Sequence, residues 1–234
     1  MSANDDGRLT DKVGGIAGLL FAAGVLLQNG YLLSGNPLPD ASLEDVRAFY
    51  SASAGRIEVA VGWVALNVLF LLTFGAAITE RLVKSPRTSL WGRLAFGAVV
   101  LLAAAFSVTT ALQGALVASI AELEASGLLR AFWDLHSTAF AMSGIALSAV
   151  LLGLSVGTLS EPERAVVPRW VAFLGLAGSA SLLVAGGLSV STVSGGPGIF
   201  LQLGGFATWL VWLLAGAVGL LRGSARGAWV TAPA

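Results

Sequence analysis

The sequence predicts an all-α fold: a polytopic transmembrane bundle of six helices forming a single integral membrane domain over residues 1–234. Three observations predict it. Hydrophobic residues make up 56% of the chain and charged residues only 11%, against about 25% charged in an average soluble domain. Uncharged stretches recur at lengths that match the about 20 residues a helix needs to cross a ~30 Å hydrocarbon core. These stretches are continuously apolar, not alternating, so helices rather than a closed barrel satisfy the backbone in lipid.

The first uncharged stretch, Val13–Pro39, gives a span over about 13–34. Asp5, Asp6, Arg8, Asp11 and Lys12 precede it, and no A-x-A-like cleavage site follows closely. It therefore reads as a retained span and not a signal peptide. Pro37 and Pro39 end it. Ser42-Leu43-Glu44-Asp45 then reads as a capping box with Asp in the Glu position. Leu43, Val46, Phe49 and Tyr50 fall on one face, opposite Glu44, Asp45 and Arg47. This pattern predicts a short amphipathic helix lying on the outer surface, with a solvated loop as the other reading. Val59–Thr79 gives a second span over 56–82, and Leu94–Ala121 a third over 91–120. Leu135–Ser160, titratable only at His136, gives a fourth over 132–159. Trp170–Leu221 is uncharged and long enough for two passes. Its turn signal, Ser194-Gly195-Gly196-Pro197-Gly198, divides it into 168–193 and 198–222.

Lys and Arg set the orientation. Arg8, Lys12, Arg81, Lys84, Arg87, Arg93, Arg164, Arg169, Arg222 and Arg226 collect on one side, and only Arg47, Arg56 and Arg130 on the other. Both termini are expected in the cytoplasm of a cell whose inner (plasma) membrane holds the protein. Trp91 and Trp170 fit the inner interface and Trp133 the outer one. Small residues recur at four-residue spacing at Gly14/Gly18, Gly153/Gly157, Gly175/Ser179 and Ala215/Gly219, which suits close helix packing inside the bundle. The chain has no clear internal repeat of the kind a two-half transporter carries.

Thirteen basic residues balance thirteen acidic ones, so nothing in the charge suits a nucleic acid. The absence of cysteine removes disulfides, thiolate metal sites and cysteine nucleophiles. A single histidine removes bis-histidine metal or haem ligation, and no metal or cofactor is expected. There is no G-x-S-x-G, H-E-x-x-H, P-loop or dinucleotide fingerprint in a usable context. Lys12 and Lys84 lie at cytoplasmic ends, away from any buried Schiff-base chemistry.

The chain resembles the DUF4386 group of six-helix bacterial membrane proteins, whose function is unassigned. The likeness is carried by Gly14–Leu20 (Gly-Gly-Ile-Ala-Gly-Leu-Leu), by Phe49–Glu58 running into the second span, by Asp134-Leu135-His136, and by Val167-Pro168-Arg169-Trp170-Val171. It spans nearly the whole chain and departs from the group at Arg56-Ile57-Glu58-Val59-Ala60, where an aspartate-containing stretch is more usual. The resemblance implies six helices and supplies no activity. The Gly, Ala and Arg usage looks like that of a high-GC actinobacterium.

Polar residues inside a membrane are costly, so each is a candidate for function. Gln28, Asn29, Arg56, Glu58, Gln113, Asp134, His136 and Gln202 all fall near the outer leaflet, and the inner half holds nothing comparable beyond Asn67 near mid-membrane. This predicts a polar pocket opening toward the extracytoplasmic side. Glu58 reads either as a buried acid or as a partner of Arg56 or Arg130. Asp134 reads as an acid or as a cap for the fourth helix. His136 lies about 200° from Asp134 around a helix, so the two cannot face one centre squarely. It reads as a proton shuttle or an inert hydrogen-bond donor. Gln28, Asn29, Gln113 and Gln202 serve a ligand or join helices. Asn67, on the opposite face from Glu58, reads as packing glue; Trp209 and Trp212 read as anchors or filler.

Three functions fit. The first is a bundle whose polar pocket binds a small hydrophobic molecule or a membrane protein partner, among membrane lipids. The second is an intramembrane cyclase or isomerase acting on a lipid or terpenoid. In it Glu58 or Asp134 is the acid and His136 the base, while Trp63, Trp133 and Phe140 stabilise a cation. The third is a proton-coupled carrier, which needs polar groups continuing toward the cytoplasm.

Overall fold

The computed structural model describes residues 3–229, whose regular elements are all helices, with no strand among them. The helices are α1 (Ala3–Leu27), α2 (Leu43–Ala52), α3 (Ala54–Val83), α4 (Ser89–Ala125), α5 (Leu129–Ser160), α6 (Arg169–Gly187), α7 (Ser189–Val193) and α8 (Gly198–Trp229). Six of them are long and apolar enough to cross a membrane: α1, α3, α4, α5, α6 and α8. The expected spans are all present, with one correction. The fifth stops at Gly187 rather than near 193, because the helix breaks at Leu188 before the single-turn α7. The turn expected after it is there, with Gly195 at φ +77°, a conformation that a side chain would strain.

Short connections make sequence neighbours into spatial neighbours. Each long helix packs on the next, from α3 through α4, α5 and α6 to α8, and α1 fits between α3 and α8 to close the ring. Glycines let it close. A methyl at Gly15 would meet the Ala217 carbonyl at 2.9 Å, and one at Gly18 would meet Phe74 at 2.6 Å and Ala217 at 2.9 Å. Gly153 lies equally tight on the Trp91 carbonyl, and Gly157 on Leu82. The small-residue positions therefore serve packing within this chain. A core of large apolar side chains, including Phe21, Leu102, Leu151, Trp209 and Trp212, fills the bundle. Both tryptophans are fully enclosed.

The helices differ greatly in length. At 1.5 Å per residue α4 is about 55 Å long and α5 about 48 Å, well beyond a ~30 Å hydrocarbon core. The C-terminal part of α4 and the N-terminal part of α5 lie at the end of the bundle that carries α2. There α4 bends at Ser119 (φ −131°, ψ 23°) and ends in a Schellman turn, with Leu128 N–H donating to the Leu123 carbonyl over Gly127 at φ +73°. The projecting pair carries a second apolar core, built from Val46, Tyr50, Ile57, Leu116, Leu123 and Trp133.

Helix α2 belongs to this second core. Ser42 caps it, its hydroxyl accepting from Asp45 N–H at 3.1 Å and donating to the Asp45 carboxylate at 2.7 Å. Its apolar face was expected to lie on a membrane surface. Instead Val46 and Tyr50 are sealed against the protein, because the projecting ends of α4 and α5 offer an apolar wall closer at hand. On the outside Arg47 pairs with Glu124 at 3.1 Å. At the opposite end of the bundle Arg81 holds Asp11 through two bonds, one of them Nε to Oδ1 at 3.0 Å, tying α1 to α3.

Candidate functional site

The residues expected to form a polar pocket separate into three buried groups and an exposed set. The first group joins α1 and α3. A π-helical turn, Gln28–Leu32, ends α1 and turns Gln28 inward, where its Oε1 accepts from Asn67 Nδ2 at 3.1 Å. Asn67 is buried, and its Oδ1 and the neighbouring Trp63 Nε1 have no hydrogen-bond partner among the described residues. Both converge on Gly24, whose Cα hydrogen points at the Asn67 carbonyl. The same turn sends Asn29 outward, its amide spent on the Val25 carbonyl at 2.9 Å.

The second group joins α2, α4 and α5. Tyr50 meets Trp133 edge-on at 6.1 Å, and Trp133 stacks on His136 at 5.3 Å with the rings 20° from parallel. His136 is only 5% exposed, and neither of its ring nitrogens has a partner among the described residues. Buried Gln113 approaches the Tyr50 hydroxyl without closing a hydrogen bond of ordinary geometry. Burial pushes the Tyr50 phenol well above its ordinary range, and the Gln113 side chain opposes this only in part. Trp133 was expected at the lipid interface. It is wholly buried, and its Nε1 donates to the Pro39 carbonyl at 2.9 Å, fastening the α1–α2 connection to α5.

The third group joins α5 and α8. Gln202 Nε2 donates to the Phe140 carbonyl at 3.1 Å, while its buried Oε1 has no partner among the described residues. Phe140 lies one turn beyond His136 on α5, so the second and third groups adjoin.

The acids and Arg56 do not join these groups. Glu58 was expected as a buried or paired acid; it is exposed and makes no ion pair among the described residues. The reason is rotational: Asn67, about half a turn away around α3, takes the inward face. Asp134 does not cap its helix, because α5 begins earlier, at Leu129. Its side chain is 48% exposed and lies 3.7 Å from Arg130, four residues back. That pairing also removes Arg130 as a partner for Glu58. Arg56 is exposed and donates to Ser53 at 2.7 Å and Ser34 at 3.4 Å.

The opposite half is not bare, as it was expected to be. Ser148 and Ser179 exchange hydroxyl-to-carbonyl bonds of 2.8 and 2.9 Å between α5 and α6, and buried Ser155 and Thr158 follow along α5. Beyond them buried Glu161 accepts from Ser85. A cleft beside Arg81, Thr88, Thr158 and Glu161 encloses about 10 Å³, enough for one water. An open groove of about 320 Å³ runs over Glu44, Arg47 and Glu124 on the outside of α2. Neither is lined by a residue of the three polar groups. The described residues contain no group of three or more metal-binding side chains. Comparison with models of known families, with curated proteins and with solved structures finds no match to this chain.

Proposed function

We propose that the chain is a multi-pass protein of the plasma membrane, with both termini in the cytoplasm and the α2 end outside. We further propose that its buried polar belt holds a small hydrophobic molecule. The ten-to-three distribution of Lys and Arg supports the orientation. One observation carries the binding role. Tyr50, Trp63, Asn67, His136 and Gln202 all hold buried polar atoms without partners among the described residues, and all lie in the half of the bundle that carries α2. Among the described residues only Ser155 and Trp212 do so in the other half. Each such atom costs about 1–3 kcal/mol when left unsatisfied, so a belt of them suits a fold that is completed by a guest. Glu58 and Asp134, the acids an acid–base mechanism would use, face away from this belt.

Native mass spectrometry of the full chain, released gently from its own membrane, tests the reading. A discrete small molecule should accompany the wild type and the Glu58→Gln variant. His136→Phe and Gln202→Leu should lose most of it. Bare protein, or bulk phospholipid retained equally by every variant, would refute the binding role.

A further inference from the structure

Resting on the reading that the belt binds a guest, the polar groups also specify the guest's head. Charge comes first. Tyr50, Gln113, His136 and Gln202 are all buried, and no Asp, Glu, Lys or Arg stands among them. The charges of this end, Arg47, Arg56, Glu58, Glu124, Arg130 and Asp134, are exposed or half-exposed on its outside. An ionic head would enter without a counter-charge and lose its hydration.

Hydrogen-bonding capacity comes second. A neutral imidazole offers one donor and one acceptor, and both His136 nitrogens are uncommitted. The Tyr50 hydroxyl offers both as well. Gln202 adds an acceptor, its Oε1, while one N–H of its Nε2 goes to the Phe140 carbonyl. A head that only accepts, such as a ketone or an ester, answers the donors and leaves the acceptors bare. A head that both donates and accepts answers each. We propose that this site takes an uncharged amphiphilic alcohol, its hydroxyl against His136 and its apolar body drawn from the surrounding lipid.

Four probes sharing one long apolar chain test this on the full-length protein in nanodiscs: the primary alcohol, its methyl ether, the carboxylic acid and the primary amine. Binding is read by titration in native mass spectrometry. The alcohol should bind about tenfold more tightly than the ether, the equivalent of one buried hydrogen bond, and more tightly still than the acid or the amine. His136→Phe should remove that preference by weakening the alcohol about tenfold more than the ether. His136→Gln, which keeps a donor and an acceptor, should retain the preference. If His136→Phe does not fold, the order of the four probes on the wild type decides alone. An acid, amine or ether that binds as tightly as the alcohol overturns the head-group assignment and leaves the pocket standing. If none of the four binds, the assignment and the pocket reading fall together.

Discussion

Gly24 is where a single methyl group tests the arrangement of the belt. A Cβ placed there would overlap the Asn67 carbonyl oxygen and stand 2.8 Å from Trp63 Nε1 and 3.1 Å from Asn67 Cγ. Asn67 is buried between helices, so it cannot yield without losing its 3.1 Å bond to Gln28. Overfilling a packed site costs about 1–3 kcal/mol, and an interhelical hydrogen bond in a membrane contributes ~0.6 kcal/mol on average. Gly24→Ala should therefore destabilise by about 2–3 kcal/mol. Gly62→Ala, on the exposed side of α3 with nothing within 4 Å, should stay within about 0.5 kcal/mol of wild type.

A double-mutant cycle isolates the contact. Asn67→Ala removes the oxygen that the new methyl strikes, so in the double variant the methyl enters space already cleared. The pair should cost at least about 1 kcal/mol less than the sum of the singles. Reversible unfolding in mixed micelles gives all four stabilities. Additive costs, or a Gly24→Ala variant as stable as Gly62→Ala, would refute the placement of Asn67 against α1.

Two further predictions concern the α2 end. Trp133→Phe keeps an aromatic ring in the second core but deletes the donor to Pro39, and should cost about 2 kcal/mol. It should also open residues 36–42 to limited proteolysis, and unchanged cleavage there would refute the fastening role. Tyr50 gives a pH dependence. Its folded phenol ionises well above the ordinary value of 10.0, so the stability it confers is complete below about pH 10 and drains away as pH rises beyond it. Stability of the α2 region, followed by amide exchange, should fall in that range. Tyr50→Phe should remove the fall at little cost below it, since the hydroxyl has no firm partner to lose.

The spans were legible because length and charge exclusion are one-dimensional properties: five uncharged stretches, the last long enough for two passes and divided by the turn at 194–198, give six. The gathering of polar groups near the α2 end was legible for the same reason: depth along a helix is sequence position times rise. Rotation about each helix was not, because lipid and protein interior are equally apolar and the sequence does not distinguish the two faces. Glu58 and Asn67 make the case. They lie nine positions apart on α3, about 180° around it, so at most one can face inward. The choice turns on a glycine in a different helix, Gly24, which makes room for Asn67 and brings Gln28 opposite it. The Ser148–Ser179 exchange is hidden from the sequence in the same way, since serines recur in several spans and only rotation pairs two of them. The same ambiguity misdirected α2: an apolar face at a membrane boundary fits lipid and protein equally. What settles it is the length of α4 and α5. Helices that outreach the hydrocarbon core by several turns expose an apolar wall to water unless something covers it, and α2 is the nearest segment with a face to match.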